Sequence, residues 1–413
     1  MSSREIPQYL VVNRFDDEFG EYHRFVEPGS CRLAYITLPC GLPILDEESA
    51  LDLVVVDDLE IGTLLPIARR LAELHGGFDA IVGPSEYDVL STAQLREELG
   101  VPGWRPEFVT AFRDKARMKD LVGGAGLRVP RFCRLDAGST AAGIAAEVGL
   151  PLILKPRAGW SARGVVLVRD EAELAALLVE QGPELEGFEC EEYVEGAILH
   201  VDGIRRDGKF HFVSASEYIN TCLDFLTGTP LGSVLLDPGA RLDRVTEFTG
   251  GCLDALDLVD GPFHLELFDT PGGELVFLEV GLRPGGAEVP FVHRDLFGID
   301  LFAEAFRATL GLPPAVPAEA LPDGVAGGWV SIPEPRPYPS TVVSRSSLLG
   351  TVDEVYAEVV PDVGTVFDGS GGYEHIGGRF RLRGTDHAAV RRAALAVMDR
   401  YRLVVEHEGP DAR

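Results

Sequence analysis

FHLELFDTPGGELVFLEVGLRPGG, residues 263–286, carries more information about structure and chemistry than any other stretch of this chain. It is typical of two β-strands, HLELF and ELVFLEV, joined by a Thr-Pro-Gly-Gly turn that suits a hairpin. Each strand carries one glutamate among apolar residues, Glu266 in the first and Glu279 in the second. Because side chains alternate along a strand, Glu266 shares a face with His264 and Phe268. If the strands pair across the turn, both carboxylates project toward one point.

The two carboxylates indicate a divalent metal site. Carboxylates that converge in apolar surroundings repel each other unless a proton or a cation relieves them. Ligation by oxygen alone favours Mg²⁺, with Mn²⁺ as an alternative ion, over zinc. Arg283 and the pair Gly285-Gly286 follow the second strand and offer a positive charge and approachable backbone N–H groups, which suit a transferred phosphate. For this stretch alone, a hairpin with solvated glutamates is the alternative interpretation.

Composition and charge exclude several classes of function. The 413 residues are enough for roughly two or three packed units. A net charge of −29 opposes non-specific binding to nucleic acid or to an anionic membrane, so neither is expected as a partner. The six cysteines are scattered without CxxC spacing, which argues against a zinc site and a disulfide framework. MSSREIPQYLVV lacks the apolar core of a signal peptide, and we expect a cytoplasmic protein with reduced thiols.

The alternation of strand-like and helix-like segments predicts an α/β (α+β) protein built of several units. Residues 1–110 alternate strands such as RLAYITL with helices such as IGTLLPIARRLAELHG, which predicts a parallel sheet. Residues 111–200 form a second unit. Residues 201–312 are strand-rich and contain a meander around an Asp-Gly turn, a helix GCLDALDLV and the hairpin. Residues 313–413 begin with a proline-rich stretch and end in the helix DHAAVRRAALAVMDRYRL.

Three further segments suit a nucleotide or phosphate ligand. In residues 152–168, LILKPRAGWSARGVVLV, a lysine ends an apolar strand before a loop with glycines and a serine, and a buried lysine is costly unless it meets an anion. Residues 188–203, FECEEYVEGAILHVDG, offer a strand edge with carboxylates, although a solvated acidic edge strand is the commoner case. Residues 113–130, RDKARMKDLVGGAGLRVP, place Lys115 and Lys119 on one helical face, for which a solvated helix is the alternative.

In combination and in this order, these segments resemble the ATP-grasp superfamily, specifically its carboxylate–amine ligases that act on amino acids or peptides. The matching pieces are GPSEYDVL…LREELGVPG, FRDKARMKDLVGGAGLRVP, LPLILKPRAGWSARGV, ECEEYVEG…HVDG and FHLELF…LVFLEVGLRPGGAEVP. The resemblance implies a nucleotide site between two lobes of an ATP-grasp fold. The implied units are an N-terminal preATP-grasp α/β domain (1–110), a small lid subdomain (111–200), a central sheet with the metal site (201–312) and a C-terminal lobe that completes the domain (313–413).

The resemblance also implies a role for each matching residue. For the nucleotide, it implies that Lys115 reaches the phosphates and that Lys155 contacts the α-phosphate and adenine. The glycine-rich loop over the phosphates would contain Gly159, Ser161 and Gly164, and the adenine hinge would contain Glu191, Tyr193 and Val194. Glu266 and Glu279 match the metal-binding carboxylates, and Arg283 matches the catalytic arginine that contacts the transferred phosphate or the substrate carboxylate.

Two positions depart from the family pattern. The usual third metal ligand is an asparagine two residues after the second glutamate, and this chain has Gly281 there. The acidic residue that often follows the hinge glycine is missing from GAILH. The first departure leaves open how a second metal ion is held, and the second leaves open the contact with ribose.

The resemblance implies a two-step reaction that uses ATP and Mg²⁺. A carboxylate attacks the γ-phosphate to give an acyl phosphate and ADP, and an amine then displaces phosphate. The implied partners are a small-molecule carboxylate and an amine, while an acyl or peptidyl carrier protein and a homodimer stay open. An ATP-dependent carboxylase of the same superfamily and a non-catalytic nucleotide-binding protein are the alternatives. We expect His264 and His293 to be structural histidines.

Overall fold

A computed structural model describes residues 6–159, 162–317, 324–369 and 376–407. The N-terminal part contains four strands within these ranges: β1 (Gln8–Asn13), β2 (Arg32–Thr37), β3 (Asp52–Val55) and β4 (Ala80–Val82). Its helices are α1 (Ile61–His75), α2 (Val89–Glu98) and α3 (Pro106–Thr110). The strands pair in parallel in the order β3-β2-β1-β4, so the predicted parallel sheet is confirmed.

The sequence of α1 explains its place on this sheet. Leu64, Ala68 and Leu71 lie on one face of the helix and pack with Leu10 and Ile36 of the strands. The helix ends at a glycine in the left-handed conformation, which satisfies a terminal carbonyl group. The loop that follows β4 is thereby held at the carboxyl edge of the sheet.

The second unit contains a small antiparallel sheet and a first helix that packs against a different sheet. Its elements are α4 (Lys115–Gly124), β5 (Phe132–Arg134), α5 (Ala141–Val148), β6 (Leu152–Pro156), β7 (Val166–Val168), α6 (Glu171–Gln181) and β8 (Phe188–Glu192). The strand order is β5-β8-β6-β7, and we call this sheet with α5 and α6 the small lobe. Helix α4 instead buries Met118 and Val122 in the core of the central sheet.

The central sheet is formed by strands from residues 197–384. Its strands are β9 (Ala197–Arg206), β10 (Lys209–Ile219), β11 (Leu231–Leu235), β12 (Gly261–Asp269), β13 (Leu275–Gly281), β14 (Ala326–Ile332), β16 (Val355–Val359) and β18 (Gly378–Gly384). Their order is β13-β12-β9-β10-β11-β14-β18-β16, with antiparallel pairing throughout the described residues. A separate sheet, in the order β17-β15-β19, contains β15 (Ser340–Arg345), β17 (Val366–Phe367) and β19 (Leu403–His407).

The helices of these later units cover the central sheet. They are α7 (Cys222–Leu226), α8 (Ala240–Ala255), α9 (Val289–Phe297), α10 (Leu301–Thr309) and α11 (His387–Arg400). Short 3₁₀ helices lie at Glu18–Gly20, Tyr22–Arg24, Pro39–Ile44 and Gly182–Gly187. No helix in the described ranges combines the length and the apolar composition that crossing a bilayer requires.

The predicted hairpin is confirmed, and it contains a bulge between Glu266 and Leu267 that the sequence analysis did not predict. In the β12–β13 pair, Glu266 lies opposite Glu279 and His264 lies opposite Gly281. The alternate residues Leu265 and Leu267 are buried in the core beneath α8. The carboxylates therefore share the other face of the sheet, which we call the site face.

The predicted start of one helix is wrong. GCLDALDLV was expected to open a helix near Gly251, but α8 begins at Ala240 and both of its glycines are internal. A Cβ atom at Gly251 would lie 3.2 Å from Leu127, and one at Gly250 would lie 3.5 Å from Phe210. The glycine pair thus permits close packing of α8 and does not mark a helix end.

Candidate active site

The paired glutamates form an open carboxylate site on the hairpin. Glu266 Oε1 accepts a hydrogen bond from the Tyr218 hydroxyl at 3.0 Å, and Lys115 Nζ lies 2.9 Å from Glu279 Oε2. Burial opposes ionisation of Glu279, but Lys115 and then Lys155 outweigh it and lower the pKa of Glu279 to about 2. An oxygen-only set of carboxylate donors fits Mg²⁺. The assignment of this pair as the metal site stays a prediction.

Lys115 connects this hairpin to the glycine-rich loop. It is the first residue of α4, and Asp114 before it caps the helix by accepting hydrogen bonds from two backbone N–H groups. The Lys115 ammonium group also donates to the carbonyl oxygen of Gly159 at 2.9 Å. Gly164 has φ +74°, and a Cβ there would lie 3.0 Å from Pro156, so the loop needs glycine at this position. The predicted loop residue Ser161 lies outside the described residues.

A buried cluster of four charges lies on the small-lobe side of the site. We call it the buried charge cluster, and its members are Lys119, Lys155, Glu189 and Glu191. Glu191 bridges the two lysines, with its oxygens 2.6 Å from each ammonium nitrogen, and Lys119 also donates to Glu189. Each of these side chains is at most 4% exposed. The solvated-helix and solvated-edge interpretations of these segments are therefore wrong.

The electrostatics of the buried charge cluster follow from its balance of charges. Burial alone would raise the pKa of Glu191, but Lys155 and Lys119 outweigh it and lower that pKa. Burial likewise opposes protonation of Lys155, while Glu191 and Glu189 raise its pKa. The cluster thus places two lysines against two glutamates in a nearly dry environment, where burial alone would oppose every charge.

Two of the three residues of the predicted adenine hinge lie between the two sheets, whereas the third, Glu191, lies within β8 and belongs to the buried charge cluster. Tyr193 and Val194 connect β8 of the small lobe to β9 of the central sheet, and Tyr193 is exposed. Glu192, just before them, is held by Arg128 at 2.9 Å. A ligand bound along this connection would contact both lobes, and the assignment of the adenine-binding residues stays a prediction.

Arg283 is held by a residue that the sequence interpretation missed. Its Nε donates to Glu86 Oε2 at 2.5 Å, and Arg113 binds the other oxygen of Glu86 at 2.5 Å. Burial opposes ionisation of Glu86, but the two arginines outweigh it and lower its pKa. Glu86 follows β4, so this carboxylate fixes the N-terminal sheet to the hairpin. Glu86 lies within the matched piece GPSEYDVL, but nothing in that piece indicated which residue Glu86 binds.

Gly281 lies beside this arginine and tolerates a Cβ atom. A Cβ atom built there would lie 3.5 Å from Arg283 Cγ and 3.7 Å from Glu86 Oε2, which are ordinary contact distances. Gly281 lies two residues after Glu279 on the same strand and therefore faces the same side. The departure from the family pattern therefore leaves the site face without a side chain at this position.

His293 and His264, which were both expected to be structural, differ in their hydrogen-bond partners and in the direction of their pKa shifts. His293 fits that expectation, because Nδ1 donates to the Val289 carbonyl and Nε2 accepts from the Ser214 hydroxyl, each at 2.7 Å. Burial lowers its pKa, so the ring is neutral. His264 is different, because burial opposes its protonation but Asp202, 2.8 Å from Nδ1, outweighs burial and raises its pKa to about 9.

The structure brings most of the predicted site residues to one place between the lobes. Lys115, Lys155 and Arg283 all act to lower the pKa of Glu279. Sequence reasoning missed several residues that hold these groups, namely Glu86, Glu189, His200, Asp202 and Tyr218. One of them, Glu189, was visible as a polar residue two positions before Glu191 on the same strand.

Comparison with known proteins finds ligases among the curated relatives. The chain is 24% identical over 312 residues to an L-arginine-specific L-amino acid ligase of Bacillus subtilis, covering 74% of each chain. It is 29% identical over 297 residues to D-alanine–D-alanine ligase B of Xanthomonas campestris, covering 66% of this chain and 88% of that one. An alanine–anticapsin ligase of Bacillus subtilis is 25% identical over 256 residues, where the match spans about half of each chain, 56% and 54%. No family model matches the chain.

Solved structures share the whole fold. An L-amino acid ligase from Bacillus licheniformis superposes with a TM-score of 0.76 at 18% identity, over 98% of this chain and 100% of that one. An ADP complex of the N5-carboxyaminoimidazole ribonucleotide synthetase PurK superposes with a TM-score of 0.67 at 17% identity, over 96% and 98%. At these identities the likeness shows the fold, and the chemistry rests on the residues described above.

Proposed function

We propose that this chain, which has the ATP-grasp fold of the carboxylate–amine ligases, is an ATP-dependent ligase that joins an amino acid or another small carboxylic acid to an amine. The observation that carries this proposal is the direct pairing of Glu266 with Glu279, flanked by Lys115 and by Arg283. Two acidic groups for a metal and two cations for phosphate lie where the lobes meet. This set suits transfer of a phosphoryl group.

The first step activates the carboxylate. The substrate carboxylate attacks the γ-phosphate of ATP, the bond between the β,γ-bridging oxygen and the γ-phosphorus breaks, and an acyl phosphate and ADP form. Glu266 and Glu279 would hold Mg²⁺, which when bound would neutralise charge on the phosphates. Lys115 and Arg283 would stabilise the negative charge of the group in transfer.

The second step forms the amide. The amine attacks the acyl carbon, loses a proton and displaces inorganic phosphate. Closure of the glycine-rich loop over the phosphates would exclude water, because water would hydrolyse the acyl phosphate. Lys155, which pairs with Glu191, would bind the α-phosphate and adenine.

Several finer points belong to the same proposal. We expect Mg²⁺ as the ion, with Mn²⁺ able to replace it, and a cytoplasmic reaction on small-molecule substrates. A carrier-bound acceptor and a homodimer stay open. Two alternatives stay open as well, namely a carboxylase that activates bicarbonate and a protein that binds nucleotide without turnover.

A substrate panel tests the proposal. Purified protein is incubated with Mg²⁺, ATP and pairs of amino acids, and ADP and the dipeptide are measured together. The proposal requires ADP and dipeptide in equal amounts with at least one pair, and neither in the Glu279→Gln variant. ATP turnover that depends on bicarbonate would favour the carboxylase, whereas tight binding of ATP with no turnover on any pair would favour the non-catalytic alternative.

A further inference from the structure

The two paired carboxylates of the hairpin are held by different donors, each on one oxygen. The Tyr218 hydroxyl donates to Glu266 Oε1 at 3.0 Å, and Lys115 Nζ lies 2.9 Å from Glu279 Oε2. Among the residues that the structure describes, neither Glu266 Oε2 nor Glu279 Oε1 takes part in a hydrogen bond or an ion pair. Each glutamate therefore keeps one oxygen for another ligand.

The hydroxyl of Tyr218 differs in kind from the ammonium group of Lys115. A phenolic O–H is a neutral donor, whereas a lysine brings a positive charge that repels a bound cation. Tyr218 thus fixes one oxygen of Glu266 without competing with a cation for the carboxylate. Hydrogen bonds from such outer groups orient the carboxylates that ligate metal ions.

The ring of Tyr218 is held in place on the central sheet. Tyr218 lies on β10, and β9 separates that strand from β12, which carries Glu266. The ring packs on the imidazole of His200 with centroids 4.6 Å apart, and it meets Trp329 edge to face at 6.4 Å. Because these aromatic contacts restrict the ring, the hydroxyl reaches Glu266 from a fixed position.

Tyr218 is the nearest donor to Glu266 in the described part of the chain. His264 Nε2 lies 3.6 Å from the same oxygen, which is longer than a hydrogen bond. The Glu266 side chain is 13% exposed and the Glu279 side chain is 34% exposed, so both border the space between the lobes. The Tyr218 hydroxyl therefore decides which oxygen of Glu266 is left to face that space.

We propose that Tyr218 is a positioning residue that holds Oε1 of Glu266 and leaves Oε2 as the single oxygen that this glutamate offers to the divalent ion. This inference rests on the proposed function, because it concerns the ion that Glu266 and Glu279 would hold. A carboxylate with one oxygen engaged binds a cation through the other alone. Such a ligand suits the compact octahedral sites of Mg²⁺ and Mn²⁺ better than the larger sites of Ca²⁺, which often include bidentate carboxylates.

Binding of Mn²⁺ to the complex with ADP tests the inference, because free Mn²⁺ is measured directly by electron paramagnetic resonance. We expect Tyr218→Phe, which removes only the hydroxyl, to weaken binding of Mn²⁺ about 10-fold. Affinity for Ca²⁺, measured by displacement of Mn²⁺, should fall by less than about twofold, because the released Oε1 can join a bidentate contact. The preference for Mn²⁺ over Ca²⁺ should therefore fall, and affinity for ADP without metal should not change.

Tyr401→Phe is the matched control. The Tyr401 hydroxyl donates to the Gly377 carbonyl oxygen at 2.9 Å, and its ring packs on Phe380 in the core beneath α11. This variant should bind both ions and ADP as the unaltered protein does. Unchanged Mn²⁺ affinity in Tyr218→Phe would overturn the inference, and so would an equal loss in the two variants. An equal fall for Mn²⁺ and Ca²⁺ in Tyr218→Phe would also overturn it, because it would show a general effect on packing.

A measurement on the unaltered protein does not depend on the folding of a variant. In crystals grown with Mn²⁺ and ADP, anomalous scattering locates the ion. The inference requires the ion on Glu266 Oε2, with Oε1 on the Tyr218 hydroxyl, and an ion on Oε1 or on both oxygens would overturn it. An ion bound away from both glutamates, or failure to bind ADP, would instead contradict the proposed function, and the inference would fall with it.

Discussion

The buried charge cluster and the carboxylates of the hairpin are built from the same residue types in opposite surroundings. In the cluster, Lys119 and Glu189 are 0% exposed, and each charge has a partner of opposite sign. On the hairpin, Glu279 is 34% exposed and its ion pair is with Lys115. Within the cluster, positive and negative groups balance each other, and their ion pairs hold the lysines in fixed positions. The hairpin faces the space between the lobes, where an ion and phosphates can become its partners.

This contrast predicts different consequences when a charge is removed. A group of the buried charge cluster that has no assigned contact with the nucleotide, such as Lys119, should affect mainly the stability of the fold, because an unpaired buried charge is costly. A group on the hairpin should affect mainly the reaction, because its surroundings can rearrange and water can reach it. The following changes test the distinction, beginning with the largest effect.

Glu279→Gln should lower ligase turnover about 1,000-fold, because it removes one of two carboxylates for the metal that stabilises the transferred charge. Its free energy of unfolding should change by less than about 1 kcal/mol. Turnover is measured by ADP release and stability by urea denaturation. Glu274→Gln, at an exposed position on the same hairpin, is the matched control and should leave both unchanged. Turnover of Glu279→Gln within tenfold of the control would contradict the metal assignment.

Lys119→Met should lower the free energy of unfolding by about 3–5 kcal/mol, because Glu189 is then left buried without its nearest cation. The double variant Lys119→Met/Glu189→Gln removes one charge of each sign and should recover much of the loss. Both are measured by urea denaturation without nucleotide.

Arg117→Met controls for the loss of a cation from the same helix. The ion pair of Arg117 with Glu107 is exposed, so the expected cost is less than about 1 kcal/mol. If Lys119→Met were no less stable than Arg117→Met, the buried charge cluster would not have the electrostatic role described here.

Gly281→Asn should have the smallest effect and in the favourable direction. It adds an oxygen on the side of the strand that carries Glu279, so we expect affinity for Mg²⁺ in the presence of ADP to rise roughly 3- to 10-fold. Gly281→Ala adds the Cβ atom without the oxygen and should leave the affinity unchanged. Magnesium titrations followed by calorimetry compare the two variants. Equal affinities would show that position 281 does not adjoin the ion.

Local patterns predicted the part of the site that is close in sequence. Strand alternation and a hairpin turn predicted that the two strands pair, but they did not predict the bulge between Glu266 and Leu267, which shifts the register and brings Glu279 opposite Glu266. The same reasoning placed Lys155 at the end of a strand. It failed where the outcome depended on packing, as in α8, whose glycines reflect close contact with Leu127 and Phe210.

Partners distant in sequence could not be predicted. Glu86 and Arg283 are 197 residues apart, and Lys119 and Glu189 are 70 residues apart. Their meeting depends on how the N-terminal sheet, α4 and the small lobe pack together. His264 shows the same limit, because nothing within the hairpin indicates that Asp202 of a neighbouring strand lies behind its ring.

Isotope transfer tests the central claim most directly. An amino acid that supports turnover is labelled with ¹⁸O in its carboxylate, and the inorganic phosphate released with ADP is analysed by mass spectrometry. If the carboxylate attacks the γ-phosphate, one labelled oxygen should appear in each phosphate formed. Phosphate without the label, released at the rate of amide formation, would contradict an acyl phosphate and with it the ligase mechanism.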